Sequence, residues 1–176
     1  MPEIKIKRAI AADAQLISDL STVTFIETYR GSCSDDDTVD FIDKCFNVDD
    51  ITKELNDPDD FYYIAFADGF PAGYMRLMEH YDDFPLTEKC KALQLKRIYL
   101  LKEFHSKKIG SALMSFALQL AAEKGYELVW LGVWEGNPDA KRFYERWGFT
   151  DINHPYSFYV GNTVHTDRWM TKAILK

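Results

Sequence analysis

A buried strand, a long helix and a second buried strand follow one another in the second half of the chain, and this succession constrains the fold most. Residues 93–101 (LQLKRIYLL) alternate and then become continuously apolar, and residues 128–134 (LVWLGVW) are apolar almost throughout. Between them, residues 107–124 carry an apolar stripe at helical spacing that ends at Gly125. A helix of that length is a crossover, so the two strands are predicted to lie side by side and parallel.

The rest of the chain predicts one mixed α/β domain over residues 1–176. Period-two alternation indicates strands, apolar spacing of three and four residues indicates helices, and the Asp68-Gly69 turn indicates a hairpin. The predicted order is strand 3–8, helices starting at Asp13 and Ser34, a short helical turn at 47–55, hairpin strands 61–67 and 70–79, strand 93–101, helix 107–124, strand 128–134, a helix from Asn137 to Trp147, and two closing strands (FYVG and TVHTDRWMTKAIL). Such a succession is typical of a mixed α/β fold.

The charge of the chain excludes one class of partner. With 21 basic and 28 acidic side chains, the net charge is −7 and the isoelectric point is about 5.1. Because binding of nucleic acid needs a basic surface, we expect no nucleic-acid partner. The acidity is concentrated in residues 1–60, which carry 15 acidic and 6 basic side chains, so this part of the chain is compatible with a cationic partner.

Neither a metal site nor a membrane segment is indicated by the sequence. The cysteines form no CxxC pair, and the histidines lack the spacing of metal ligands. These residues are Cys33, Cys45, Cys90, His80, His105, His154 and His165. The apolar stretches fall short of the ~20 residues that a transmembrane helix needs, and the amino terminus lacks the pattern of a secretory signal. We therefore expect a cytoplasmic protein with no metal and no membrane partner.

The junction between the strand at 93–101 and the following helix has the features of an anion site. The first turn of a helix has unpaired N–H groups and a partial positive charge, both of which attract phosphate. Gly110 would let a ligand approach the backbone, and Lys107 and Lys108 add positive charge. An ordinary loop with solvated lysines fits the same residues, because single-glycine loops are common. The spacing excludes a P-loop and a dinucleotide-binding GxGxxG loop.

A second candidate segment, residues 134–149, leaves the buried strand and enters the next helix. Asn137 lies at the end of the strand, and Tyr144 lies on an apolar face of the helix. Taken singly, Asn137 fits an N-cap and Tyr144 fits a core aromatic. If the two strands are parallel, both helix starts lie at one edge of the sheet, and the two segments then belong to one site.

Together the two segments resemble the GNAT superfamily of N-acetyltransferases. Its phosphate loop follows R/Q-x-x-G-x-G/A, and its next helix carries an N…A…FY…GF pattern. The corresponding residues here are HSKKIGSA at 105–112, then Asn137, Ala140, Phe143-Tyr144 and Gly148-Phe149. The second match is close, whereas in the first His105 replaces Arg or Gln and Lys108 replaces a glycine. The resemblance implies a single acyl-CoA N-acyltransferase domain, with a mostly antiparallel sheet whose parallel central strands splay apart, flanked by helices.

A narrower resemblance, to PaiA-type spermidine/spermine N-acetyltransferases, covers most of the chain. It rests on four segments: RIYL at 97–100, WLGVWEGNPDAKRFYERWGF at 130–149, SFYVG at 157–161 and the Thr166-Asp167 pair. This resemblance implies transfer of the acetyl group of acetyl-CoA to a primary amine such as spermidine or spermine. Within such a family the reaction is shared more reliably than the substrate.

The resemblance assigns acetyl-CoA, as cosubstrate, to the edge of the first of the two strands and to the loop behind it. The pyrophosphate would bind the N–H groups of residues 105–111, and the pantetheine would run along residues 98–100 as an added strand. Asn137 would hold the CoA amides, and Arg146 would reach a CoA phosphate. The implied cofactor-binding residues are Ile98, Tyr99, Leu100, His105, Ser106, Lys107, Lys108, Ile109, Gly110, Ser111, Asn137, Tyr144 and Arg146.

The same resemblance implies direct attack of the amine on the thioester, with backbone N–H groups polarising the carbonyl oxygen. Tyr144 is the implied catalytic residue, which donates a proton to the departing thiolate. Family members often carry a basic carboxylate on the central strand, but Gln94 and Lys96 stand at those positions here. Glu27, Glu79 or a chain of waters is left as the base.

The acceptor is expected on the side opposite CoA, near the first helices and the loop before residue 93. Carboxylates there suit a small cationic amine, and we predict Glu27, Glu79 and Asp82 as substrate-binding residues. Taken singly, each fits a solvated surface group better. Two alternatives stay open: another acceptor (a small amine, an amino acid, a peptide N-terminus or an aminoglycoside) and a non-catalytic acetyl-CoA-binding module. The oligomeric state is open as well, with a homodimer as one option.

Overall fold

The computed structural model describes residues 1–79, 84 and 90–174. The strands are β1 (Ile4–Arg8), β2 (Asp60–Ala67), β3 (Phe70–Met78), β4 (Ala92–Leu100), β5 (Leu128–Trp134), β6 (Thr150–Val160) and β7 (Thr163–Ala173). The α-helices are α1 (Ala14–Tyr29), α2 (Asp35–Cys45), α3 (Val48–Asn56), α4 (Ile109–Glu123) and α5 (Pro138–Arg146), and short 3-10 helices lie at Ala11–Asp13 and Lys102–Phe104. Within the described ranges, no helix combines the length and the apolar character that crossing a bilayer requires.

A seven-stranded sheet in the order β1-β2-β3-β4-β5-β7-β6 runs through the described part of the chain. Neighbouring strands are antiparallel, except that β4 and β5 are parallel. Helix α4 connects these two strands, as the strand–helix–strand succession predicted. The mixed α/β class and the mostly antiparallel sheet with one parallel pair are therefore confirmed.

Strands β4 and β5 separate toward their carboxyl ends. They pair only over Ala92–Gln94 and Leu128–Trp130. Beyond these residues, β4 stays paired with β3 as far as Leu100, and β5 stays paired with β7 as far as Trp134. Among the described residues, each strand therefore has one edge without a sheet partner, and the two edges face each other across a cleft.

A bulge lies in β4 at the point where the two strands separate. Arg76 of β3 pairs with Arg97, and Leu77 pairs with Leu95, so Lys96 is an extra residue in β4. A bulge bends its strand and redirects the neighbouring side chains, and bulges are frequent beside active sites.

In the described part of the chain, a large hydrophobic core covers each face of the sheet, beside a smaller cluster around Trp130. On one face, α4 and α5 pack against strand residues that include Leu131 and Met170. On the other face, α1 and α3 pack against strand residues that include Tyr62 and Tyr74. The cleft therefore opens toward α4 and α5 on one face and toward α1 on the other.

The structure departs from the sequence prediction at two elements. Residues 47–55, predicted as a short helical turn, form the full helix α3, whose first turn is capped by the Asn47 side chain. Strand β6 begins at Thr150, well before the segment that the sequence indicated. The left-handed Asn153 (φ 58°) and Pro155 interrupt its pairing with β7 at a bulge, which an edge strand tolerates, and they hide the strand pattern.

Candidate active site

The cleft between the separated halves of β4 and β5 has a volume of about 730 Å³. Its walls come from these two strands, the start of α4, α5, the end of α1 and one residue of β7. Twelve of the predicted cofactor-binding residues line it: Ile98, Tyr99, Leu100, His105, Ser106, Lys108, Ile109, Gly110, Ser111, Asn137, Tyr144 and Arg146. The cleft thus brings together the two segments that the sequence analysis singled out.

The amino end of α4 supplies backbone donors to this cleft. The N–H groups of residues 109–111 have no acceptor within the helix, because its first bond runs from the Ala112 N–H to the Lys108 carbonyl at 3.0 Å. Unpaired N–H groups at the positive end of a 15-residue helix suit an anionic ligand.

The loop that leads into α4 contains two residues with left-handed backbone. Ser106 has φ 62° and Lys108, the N-cap residue, has φ 63°. A non-glycine residue adopts this conformation at a cost of about 1 kcal/mol, which accounts for the glycine that the family pattern has at the Lys108 position. Lysine takes up the same backbone conformation here, so the departure from the pattern leaves the helix start intact.

Two of the predicted loop side chains make contacts within the loop and its neighbouring strand. The Nε2–H of His105 donates to the Leu100 carbonyl at 3.1 Å and ties the loop to the end of β4. The Lys107 ammonium lies 4.8 Å from the centre of the Phe104 ring and is outside the cleft lining. Of the two lysines, Lys108 is therefore the one that lines the cleft.

Gly110 is not required by the packing of the protein around it. A Cβ added there would lie 3.5 Å from Leu100 Cδ1 and 3.8 Å from the Phe143 ring, which are ordinary van der Waals distances. The glycine has no left-handed backbone that would demand it either. What it provides is open access to the backbone N–H groups at the start of α4.

Helix α5 begins and ends beside the cleft. Asn137 Oδ1 accepts a hydrogen bond from the Ala140 N–H at 3.1 Å, which confirms the N-cap role expected from the sequence. The cap leaves the amide NH2 of Asn137 as a donor for a ligand carbonyl. At the other end of the helix, Arg146 lines the cleft and is exposed to solvent.

Tyr144 lies on the α5 side of the cleft and is 8% exposed. Its ring packs edge-on against Phe149 at a centroid distance of 5.9 Å within the α4–α5 core. Burial raises the pKa of Tyr144, and the nearby Tyr99 and Asp167 raise it further. The phenol is therefore protonated throughout the neutral range, as a proton donor must be before it acts.

Of the three predicted substrate-binding carboxylates, the two that the structure describes, Glu27 and Glu79, lie outside the cleft lining. Glu27 is outside the cleft lining and accepts a hydrogen bond from the Lys102 N–H at 2.9 Å. Glu79 directly follows β3 and accepts a hydrogen bond from the Tyr126 hydroxyl. Because β3 runs antiparallel to β4, it ends where β4 begins, at the end of the sheet away from the cleft. Glu79 is thus outside the cleft lining, and its role as amine ligand or base stays a prediction. Asp82 lies outside the described residues.

Three aromatic and acidic side chains that the sequence analysis did not assign line the cleft. The Tyr29 ring of α1 stacks on Trp134 at a centroid distance of 4.8 Å, and Asp167 of β7 lies directly opposite Trp134 in the β5–β7 ladder. Burial raises the pKa of Asp167 to about 6, and the charge of Lys96 works against this rise. Only the pairing of β7 with β5, which no sequence pattern gives, brings Asp167 to the cleft.

Two cations on β4 also line the cleft. Burial lowers the pKa of Lys96, the residue in the bulge. The Arg97 guanidinium lies 4.9 Å from the centre of the Phe46 ring and makes a long hydrogen bond of 3.4 Å to the Tyr62 hydroxyl. The charges on this half of the cleft are therefore of both signs.

The chain matches known proteins along most of its length. Residues 23–149 match the acetyltransferase (GNAT) family. An uncharacterized N-acetyltransferase of Lactobacillus delbrueckii subsp. lactis is 33% identical over 176 residues, which cover 99% of this chain and 100% of the relative. An uncharacterized N-acetyltransferase of Mycobacterium bovis is 28% identical over 163 residues, which cover 93% of this chain and 99% of the relative.

A solved structure with the same fold is that of the PaiA N-acetyltransferase from Thermoplasma acidophilum in complex with coenzyme A. It superposes with a TM-score of 0.79 at 22% identity, and the match covers 97% of this chain and 99% of that one. The family match spans well over half of the chain, and the Lactobacillus relative is similar from end to end. The chain therefore belongs to the acetyltransferase (GNAT) family and is an acyl-CoA-dependent acetyltransferase.

Proposed function

We propose that the chain transfers the acetyl group of acetyl-CoA to a small primary amine, and that this amine is a polyamine such as spermidine or spermine. The observation that carries the proposal is the shape of the cleft between β4 and β5. Its wall is a strand edge that no strand of the described part of the chain covers, and the far end of that wall meets the N–H groups of a helix start. A linear amide-containing arm that ends in a pyrophosphate is complementary to this combination.

The residues along the cleft suit the pantetheine arm and the phosphates of coenzyme A. The edge of Ile98–Leu100 offers main-chain groups to the pantetheine amides, and the Asn137 NH2 would donate to one of their carbonyls. The N–H groups of residues 109–111 would bind the pyrophosphate. Lys108 and Arg146, which also line the cleft, would add positive charge around the phosphates.

The thioester would then lie where the strands separate, between α5 on one face of the sheet and α1 on the other. A neutral amine attacks the thioester carbon directly, so that a C–N bond forms as the C–S bond breaks. Backbone N–H groups of β4 beside the Lys96 bulge would polarise the carbonyl oxygen. Tyr144 would donate its phenolic proton to the departing thiolate.

Two observations support a polyamine as the acceptor. The segment WLGVWEGNPDAKRFYERWGF at 130–149 resembles PaiA-type N-acetyltransferases, and the PaiA N-acetyltransferase of Thermoplasma acidophilum shares the fold. In the cleft itself, Asp167 offers a carboxylate that suits one ammonium group. Lys96 and Arg97 would repel a second ammonium close by, so the rest of a polyamine would extend toward the acidic first 60 residues.

A thiol-release assay with acetyl-CoA tests the proposal. The purified chain is screened against spermidine, spermine, amino acids, a peptide N-terminus and aminoglycosides. We expect release of the CoA thiol with primary amines and the highest kcat/KM with spermidine or spermine. Fast release with another amine alone would contradict the polyamine acceptor and leave the acetyltransferase reaction standing. Tight CoA binding without release for any amine would indicate a non-catalytic binding module.

Three further expectations belong to this proposal: a single domain over residues 1–176, a cytoplasmic location, and an oligomeric state for which a homodimer is one option. Limited proteolysis should leave one protected fragment of nearly full length. Cell fractionation and sedimentation equilibrium of the purified chain test the location and the oligomeric state.

A further inference from the structure

One carboxylate in the cleft, Asp167, has been described as a partner for an ammonium group but has no part in the chemical steps described so far. Asp167 lines the cleft, although it lies on β7, two strands away from β4. A Cβ added at Gly132 of the intervening strand would lie 2.8 Å from Asp167 Oδ2. The carboxylate therefore reaches over β5 toward the cleft because Gly132 has no side chain there.

The face of the sheet on which Asp167 lies follows from its pairing. Directly opposite residues of an antiparallel ladder present their side chains to the same face, and Asp167 is opposite Trp134. Trp134 packs on Tyr29 in the core beneath α1. Tyr144 belongs to the other core, beneath α4 and α5. The carboxylate and the phenol therefore approach the gap between β4 and β5 from opposite faces of the sheet.

No partner within the described residues satisfies the Asp167 carboxylate. Among the described residues, its Oδ1 atom is buried without a hydrogen bond, and no basic side chain forms an ion pair with the carboxylate within 4.0 Å. The titratable side chains around it are Lys96 and Tyr99 of β4, Tyr29 of α1, Tyr144 of α5, Tyr156 opposite it on β6, and His165 on its own strand. Lys96 is the cation among these groups. A buried carboxylate without a partner is costly in free energy, so its presence in a cleft calls for a functional explanation.

The central strand β4 contains no carboxylate that could accept a proton from the amine. Gln94 and Lys96 stand at the strand positions considered for a base, and Glu79 lies at the far end of the sheet. An amine substrate arrives protonated and must lose a proton before it can attack the thioester. Because the acceptor is expected near the first helices, the proton acceptor is needed on the α1 face, and Asp167 lies on that face.

We propose that Asp167 binds the protonated acceptor amine and removes its proton before attack on the thioester. This role rests on the proposed acetyl transfer. It makes β7, rather than the central strand, the source of the base in this chain.

The protons of the reaction balance in this scheme. The acceptor enters as an ammonium group with three protons on nitrogen. The first passes to the Asp167 carboxylate, and the freed lone pair forms the C–N bond to the thioester carbon. As the C–S bond breaks, Tyr144 gives its proton to the thiolate and recovers the second proton from the nitrogen. The third stays on the amide, and Asp167 releases its proton to solvent.

The electrostatics of the cleft fit this role. Because burial raises the pKa of Asp167 to about 6, the group is ionised at neutral pH and is a stronger base than an exposed aspartate. A base with a pKa close to the working pH is the most effective one.

The test compares Asp167→Asn with Glu135→Gln in the full-length chain. Glu135 is exposed and outside the cleft lining, so the control loses a carboxylate near the cleft without touching the site. Each variant is assayed with acetyl-CoA and spermidine, or the amine of the panel that the wild-type chain acetylates fastest. Trifluoroethylamine is the second acceptor, because it is neutral at the assay pH and needs no base. Calorimetric titration with CoA checks that the cleft is intact.

We expect Asp167→Asn to lose about a hundredfold or more of kcat/KM for the ordinary amine at neutral pH and less than about threefold for trifluoroethylamine. The wild-type profile for the ordinary amine should rise to a plateau with a midpoint near pH 6, set by Asp167. The variant should lack this plateau. Its kcat/KM should rise about tenfold per pH unit up to the pKa of the amine, because only amine that is already neutral can react. CoA affinity should be unchanged, and Glu135→Gln should match the wild type.

Equal losses with both amines, or an unchanged acidic limb in Asp167→Asn, would overturn the role of Asp167 and leave the acetyltransferase proposal intact. Failure of the wild-type chain to acetylate any amine would instead overturn the proposed function, and the role of Asp167 with it. The two failures are therefore distinguished by the wild-type measurement.

Discussion

A side chain at position 132 and the Asp167 carboxylate would compete for the same space, since a Cβ on Gly132 would lie 2.8 Å from Asp167 Oδ2. Contacts this short force a shift of one of the two residues. Gly132 is central in β5 and has no left-handed backbone, so its lack of a side chain matters for space and not for conformation. The position of the Asp167 carboxylate therefore depends on the missing side chain at Gly132.

Gly132→Ala should destabilise the chain through this contact. We expect a loss of about 1–3 kcal/mol in the free energy of unfolding, as is typical of overpacked sites. In an Asp167→Ala background the added methyl has room, and most of the loss should disappear. Urea unfolding of the four proteins of this double-mutant cycle measures the coupling. The same loss in both backgrounds would mean that Gly132 does not make room for Asp167.

Asp167→Asn should stabilise the fold in a pH-dependent way. The raised pKa means that the folded state binds a proton more readily than the unfolded state, so ionisation of Asp167 weakens the fold. This penalty is absent below pH 3.8, the ordinary value, and fully present above about 6. Its size is on the order of 3 kcal/mol. The free energies of unfolding of the variant and the wild type should therefore be equal below pH 3.8, diverge as the pH rises, and differ by the full amount above about pH 6.

The exposed Glu135 serves as the control for this prediction, with a side chain that is 52% exposed. Glu135→Gln should show no comparable gain in stability at any pH. A constant difference between Asp167→Asn and the wild type across the whole range would contradict burial as the cause of the raised pKa.

Tyr144→Phe should lower turnover while acetyl-CoA binds as before. The variant keeps the ring that packs in the core and loses only the phenolic proton. We expect kcat to fall about a hundredfold in single-turnover experiments, where chemistry limits the rate. The CoA dissociation constant should stay within about twofold, and the exposed Tyr159→Phe should behave as the wild type. Unchanged single-turnover rates would reject Tyr144 as the acid.

Gly110→Ala should separate folding from cofactor binding. The methyl meets Leu100 and Phe143 at ordinary contact distances, and alanine favours a helix by up to about 1 kcal/mol over glycine, so the melting temperature should hold or rise. The same methyl would obstruct a phosphate that approaches the N–H groups of residues 109–111. We expect CoA to bind about tenfold more weakly, a change of about 1.4 kcal/mol.

Ser115→Ala, an exposed position farther along α4, is the matched control for Gly110→Ala and should leave CoA binding unchanged. If Gly110→Ala also binds CoA like the wild type, the pyrophosphate does not approach the backbone at Gly110, and the assignment of the loop falls.

The parallel pair at the centre of the fold could be predicted from local patterns alone. The sequence shows an apolar strand, a helix that ends at Gly125 and a second apolar strand. Such a helix connects two neighbouring parallel strands as a crossover, so β4 and β5 were expected side by side. The helix start around Gly110 and the N-cap Asn137 then follow, since both come directly after these strands. These are consequences of residues that are close in sequence.

Asp167 and Glu79 show what local patterns do not contain. Asp167 reaches the cleft only because β7 inserts between β5 and β6 in the sheet order, and because Gly132 leaves room across the ladder. Glu79 was expected near the amine, but the antiparallel pairing of β3 with β4 carries it to the opposite end of the sheet. Both outcomes depend on strand pairing over long sequence distances, which side-chain periodicity does not encode.

The phosphate loop shows that a mismatch to a sequence motif does not by itself reveal a change of backbone conformation. Motif comparison presents Lys108 as a lost glycine, whereas the structure shows lysine in the same left-handed conformation at φ 63°. A family pattern shows glycine at this position because glycine adopts left-handed backbone with the least strain. Another residue can adopt the same backbone conformation at a small cost in free energy, so the loss of the glycine does not imply a different loop.

The mass of the acceptor after incubation with acetyl-CoA and the purified chain shows whether an amine receives the acetyl group. We expect spermidine to gain the mass of one acetyl group, in step with the release of the CoA thiol, and Asp167→Asn and Tyr144→Phe to slow both together. Release of the thiol without an acetylated amine would mean hydrolysis of acetyl-CoA and not acetyl transfer. Absence of an acetylated product with every amine of the panel would contradict acetyl transfer to an amine by this chain.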